Sequence, residues 1–108
     1  MTIRSGEIGK IFRVNADFDM TANSDLTLIF TKPNLAVLSV NKAGGVSAPG
    51  IPATDPDTGE VFAANEYFEY TTKSGDIDQA GSWKVKGEYN DVTPKFFIGA
   101  TATFSVLG

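Results

Sequence analysis

The residues best equipped for chemistry in this chain are carboxylates. Asp55-Pro56-Asp57-Thr58-Gly59-Glu60 sets acidic oxygens at alternate positions beside a glycine, as at the start of a calcium loop, where hard oxygen ligands surround the ion. The register then fails. After Asp55 and Asp57 the third ligand position holds Gly59, the position that needs glycine holds Glu60, and the twelfth is Glu66 only by count. Aspartate, proline and glycine are also the ordinary material of a tight turn, so the cluster is read as a turn and no metal ligand is assigned. Paired carboxylates facing a cleft would suit acid–base or glycosidase work. Asp17 and Asp19 share one face of an extended chain, and Lys84, Lys86 and Glu88 share another. Both sets fall at the polar positions of half-buried strand patterns, where solvated charge is expected. Gly44-Gly45 and Gly6-x-x-Gly9 lack the strand-before, helix-after setting and the Lys-Ser/Thr of a phosphate loop.

Cysteine and histidine are both absent, which removes disulfides, thiol nucleophiles, Cys/His zinc sites and imidazole catalysis. No catalytic residue, cofactor site or metal site is assigned, and a non-enzymatic protein is expected. The net charge is −4, with nine Lys+Arg scattered among thirteen Asp+Glu. A phosphate backbone calls for a basic stripe, so nucleic acid is not an expected partner, and neither is an anionic membrane. The first twenty residues show no apolar core of a signal peptide, and no run approaches the eighteen or so apolar residues of a spanning helix. Synthesis in the cytoplasm is expected.

A length of 108 residues suits one domain with one real core. The clearest element is Ser82 to Tyr89. Trp83, Val85, Gly87 and Tyr89 alternate with Ser82, Lys84, Lys86 and Glu88, a period of two that a helix cannot turn into a single apolar side. Phe12, Val14, Ala16, Phe18 and Met20 predict one long strand in the same way. Leu26 to Thr31 predicts another, with Leu28 and Phe30 inward. Lys32-Pro33-Asn34 is a turn, after which Leu35 to Asn41 returns as the second strand of a hairpin. Val46 to Thr54 carries two prolines and reads as a loop or a short edge strand. Val61 to Thr72 reads as one strand with Phe68 and Tyr70 inward. Lys73 to Gly81 forms a polar corner in which Gly75 and Gly81 are candidates for positive φ. The last strand places Phe104 and Val106 inward.

The predicted core is therefore Phe12, Val14, Phe18, Leu28, Phe30, Phe68, Tyr70, Trp83, Val85, Tyr89, Phe104 and Val106. Residues 1–9 read as an N-terminal arm outside a domain of residues 10–108, with Ile3 and Ile8 as apolar anchors for a neighbour. Tyr67, Phe96 and Phe97 are left without an inward position. They are the further candidates for partner contact, and the aromatics on which glycan or host-surface recognition would depend.

At the corner, Asp78-Gln79-Ala80-Gly81-Ser82-Trp83-Lys84-Val85 resembles the D-x-A-G-x-[YW]-x-V pattern that opens a late strand in many immunoglobulin-like domains. Trp83 stands where tyrosine is more usual. With Leu26 to Pro33, Gly44-Gly45, Asn65 to Tyr70 and Gly81 to Tyr89 in that order, the chain is similar to the small immunoglobulin-like modules of tailed-bacteriophage virion proteins, including the N-terminal module of baseplate upper proteins. The similarity runs over about residues 9 to 107, and departs from antibody-type domains in lacking both core cysteines. The expected fold is all-β, an immunoglobulin-like antiparallel sandwich of about seven strands. The resemblance implies a structural protein of the virion, bound to tail, neck, baseplate or capsid in multiple copies through contacts with other virion proteins. The alternative is a recognition module for glycan or host surface.

Overall fold

The computed structural model describes residues 3–93 and 96–108, with the side chains of residues 96–100 outside the description. Its strands are β1 (Ile3–Arg4), β2 (Ile11–Asn15), β3 (Asn23–Thr31), β4 (Val37–Val40), β5 (Ala53–Thr54), β6 (Val61–Phe62), β7 (Tyr67–Thr71), β8 (Gly81–Asp91) and β9 (Phe96–Leu107). One turn of 3-10 helix covers Lys42–Gly44. The fold is all-β and sandwich-like.

Alternation in β8 does what its sequence requires. Trp83, Val85, Gly87 and Tyr89 face inward and are buried, while Ser82 and Lys84 are exposed. β8 lies inside a five-stranded sheet of order β1-β9-β8-β3-β4. The β3–β4 hairpin sets Phe30 opposite Leu38 and Leu28 opposite Val40. Along β8, Trp83 lies opposite Phe104 and Val85 opposite Ala102. A second sheet of β2 and β7 packs across this face, pairing Phe12 with Tyr70 and Val14 with Phe68. The run β9-β8-β3-β4 of the large sheet thus faces the β2–β7 pair across the core. A short β5–β6 hairpin forms a third, two-stranded element.

The core between the sheets is aromatic. Phe12 meets Phe30 edge-on at 5.5 Å and Phe104 at 4.7 Å, and Trp83 stacks on Phe104 at 5.7 Å. The Trp83 indole Nε1 donates to the Gln79 carbonyl at 3.0 Å, a bond back to the backbone four residues upstream. Gly75 and Gly81 both adopt positive φ, at 85° and 126°. At Gly81 a Cβ would also meet Pro33 at 2.9 Å.

Several expectations are corrected. Residues 1–9 are not an arm from Ile3 onward. Ile3 and Arg4 pair parallel with Val106 and Leu107, so the large sheet is mixed rather than antiparallel, and Ile3 is buried in the core. The segment stays anchored beyond β1, with Ser5 donating to the Leu107 carbonyl, Gly6 to Ile77 and Gly9 to Thr72. The strand predicted from Phe12 to Met20 ends at Asn15, because Asp17 turns into the left-handed region at φ 64°. Phe18 and Met20 are still brought back to the core, Phe18 meeting Tyr89 edge-on at 5.2 Å. Val61 to Thr72 is likewise two strands, broken by a turn in which Asn65 has φ 63°. The described residues form nine strands where about seven were expected, and three of the nine, β1, β5 and β6, are two-residue pieces.

Candidate functional site

The carboxylates singled out for chemistry are dispersed. The turn at Asp17 takes Asp17 and Asp19 off any shared strand face, and the Asp19 carboxylate accepts bonds from the Thr21 backbone N–H and hydroxyl instead. Asp55 accepts from the N–H groups of Asp57 at 2.8 Å and Thr58 at 3.2 Å. Those two bonds stabilise the anion and hold the Asp55 carboxyl below its usual range. It closes the turn between β5 and β6, so its oxygens serve the backbone. Lys86 and Glu88 pair at 3.6 Å on the outer face of β8. Among the described residues, no group of three or more acidic side chains is arranged to hold a metal ion.

The most perturbed group is the Tyr70 phenol. Its hydroxyl donates to the Asp76 carboxylate, which also accepts from the Lys73 N–H, and the Lys73 ammonium donates to the Gly44 carbonyl. Burial first, then the bond to Asp76 and the negative charge there, push this phenol far above the ordinary tyrosine range. Tyr67 and Tyr89 shift the same way, chiefly through burial. These are locks on the fold. The unfolded chain ionises its tyrosines near pH ~10, whereas the folded chain resists, so stability is fully present below that pH and declines as pH rises above it. Spectrophotometric titration of the folded protein should show the Tyr70 share of the tyrosinate band appearing only together with unfolding. Complete ionisation of the three tyrosines near the ordinary value in the intact fold would contradict the burial of Tyr70 against Asp76.

The candidate partner residues separate under the structure. Ile3 is corrected to core and Ile8 is exposed. Tyr67 is also corrected. It is 1% exposed, lies against Phe62 with ring centroids 5.3 Å apart, and donates its hydroxyl to the Ile51 carbonyl. It points away from the sandwich core, as alternation requires, but the β5–β6 hairpin covers it. Phe96 and Phe97 lie in β9, and their side chains fall outside the described residues.

What sequence reasoning missed is the edge of the large sheet. β4 is its outermost strand on one side. The Lys32 N–H bonds to the Ala36 carbonyl, so Ala36 and Leu38 turn their backbone groups toward β3. Val37 and Ser39 therefore turn theirs outward. Leu35 is 80% exposed and Val37 61% exposed, and no charge or proline occurs from Asn34 to Asn41. Leu35 also sits at φ 69°, a conformation that costs a branched side chain roughly 1–2 kcal/mol. The conformation closes the β3–β4 hairpin, with the Leu35 N–H donating to the Lys32 carbonyl at 2.9 Å, while the side chain itself is left in solvent.

Comparison with protein-family models, curated proteins and solved structures finds no match.

Proposed function

We propose that this chain is a non-enzymatic structural module that joins a multi-copy assembly through protein–protein contacts, and that the assembly is a bacteriophage particle. The observation that carries the first half is the β4 edge. Folded proteins protect the outer strand of a sheet with lysine, proline, a bulge or a covering loop. Here an uncharged run with two exposed apolar side chains offers an outward backbone instead, as strand addition requires. The virion half is supported by the resemblance of Asp78 to Val85 and its companion segments to virion immunoglobulin-like modules. Synthesis in the host cytoplasm and delivery to the particle as an assembled component follow from that reading. The glycan-binding alternative draws less support, since Tyr67 is buried.

Val37→Lys tests the edge. Val37 is already exposed, so the domain should keep its melting temperature, while incorporation into particles should fall sharply. Equal incorporation of the variant would overturn the β4 contact. Genes for portal, tail tube or capsid beside its own would support the virion setting, and a metabolic operon there would overturn it.

A further inference from the structure

The two sheets are unequal, and the mismatch opens the sandwich on one side. Five strands face two, so the small sheet cannot cover the whole inner face of the large one. The uncovered part lies at β9. Ala102 faces inward, directly opposite the buried Val85, yet it is exposed to solvent. A cleft of about 220 Å³ opens there, lined by Phe12, Val14, Phe62, Val85 and Phe104 among others, with Asp55 and Glu60 at its hairpin wall. It runs along the free side of β2.

That side of β2 has the geometry of a strand acceptor. The Thr72 N–H bonds to the Lys10 carbonyl and the Ala16 N–H to Glu66, so even-numbered residues of β2 direct their backbone groups toward β7. Ile11, Arg13 and Asn15 direct theirs away from it, and no backbone bond to them on that side occurs among the described residues. The charge at the cleft is unbalanced. Arg13 is engaged with Glu69 at 3.0 Å, Glu60 receives only the Asn15 amide at 2.9 Å among the side-chain bonds described, and Asp55 stands on the same wall. Among the described residues lining the cleft, the Arg13 guanidinium, already paired with Glu69, stands beside two carboxylates, Asp55 and Glu60.

We infer that this cleft receives a strand from a partner protein. The strand pairs with the outer edge of β2, seats small or medium apolar side chains over Ala102 and Val85, and carries lysine or arginine opposite Asp55 and Glu60. It completes the smaller sheet, in the manner of strand donation. The inference rests on the proposed assembly role but concerns a different edge of the molecule, so the two can fail separately.

The test uses the full chain and a synthetic eight-residue peptide alternating valine with threonine and lysine, read by amide hydrogen exchange. The expected result is protection of the Arg13 and Asn15 amides on adding peptide. Binding should weaken with salt, and should be lost when glutamate replaces lysine in the peptide. Glu60→Gln keeps the acceptor for Asn15 and should lower affinity several-fold. Ala102→Leu, which fills the cleft from an already exposed position, should abolish the protection without lowering the melting temperature. Absence of protection at Arg13 and Asn15 overturns the inference, as does equal binding of the glutamate peptide. Protection confined to Val37 and Ser39 would support the β4 edge and overturn the cleft. Protection of Arg13 and Asn15 that rises with protein concentration alone would make a second copy the occupant and overturn the basic partner.

Discussion

Trp83→Ala is expected to lower stability by roughly 3–5 kcal/mol, a large share of the ~5–15 kcal/mol that holds a typical domain together. Trp83 is wholly buried, stacks on Phe104 at 5.7 Å, and ties the corner to β8 through its bond to the Gln79 carbonyl. Alanine at this position leaves a cavity at the junction of β8 and β9 and removes the donor that fixes Gln79. The urea midpoint should drop far enough to unfold part of the population at physiological temperature. Trp83→Phe separates the two contributions, since it keeps much of the ring contact and loses only the indole N–H. Its cost should be clearly smaller. An unchanged midpoint in the alanine variant would mean that the Trp83–Phe104 stack does not hold the sheet together.

Gly87→Ala is the second large effect, and it acts by crowding. A Cβ at Gly87 would lie 2.4 Å from Cε2 and 2.7 Å from Cζ of Phe68, and Phe68 is itself fully buried on the opposite sheet. Overpacking of a tight core costs roughly 1–3 kcal/mol. The upper part of that range applies here, because the obstacle is a rigid ring with no solvent to turn into. Phe68→Leu removes the ring edge and should rescue Gly87→Ala, so that the double variant loses less stability than the two single losses added together. Denaturant midpoints of the four proteins decide the matter. Strict additivity would show that the sheets are further apart at this point than the Gly87–Phe68 contact implies.

The sequence speaks clearly where an alternating run is long. Trp83, Val85 and Tyr89 in β8, and Phe12 and Val14 in β2, are inward as their period of two demands. Periodicity states which residues share a face, but it does not state what covers that face. Tyr67 lies on the outward side of β7 and is buried all the same, because Phe62 of β6 and the segment at Ile51, just ahead of β5, fold over it. β1, β5 and β6 have two residues each, too few to show any period. Ile3 thus looked like an isolated apolar residue in a polar segment. The break at Asp17 was equally hidden, since Phe18 and Met20 continue the apolar pattern although the backbone has left the strand. The β4 edge and the exposed inward face of Ala102 depend on which strands have neighbours. That is a property of topology, and no single run of residues carries it.

The pairing of Ile3 with Val106 also bears on how the chain reaches this structure. It closes a loop of nearly the whole length, and β3 must likewise find β8 across about half of the chain or more, from Thr31 to Lys84 at the nearest pair and from Asn23 to Asp91 at the farthest. The entropy of such closures is spent before their contacts form, which places sandwich topologies among the slow folders, on a scale of roughly milliseconds to seconds. During that interval β3 and β4 can form as a local hairpin, exposing the uncharged Leu35 to Val40 run while the remaining strands are still unpaired. The same segment that offers a docking edge in the finished molecule is thus its chief aggregation hazard during synthesis, and low temperature or early access to a partner should raise the yield of folded protein.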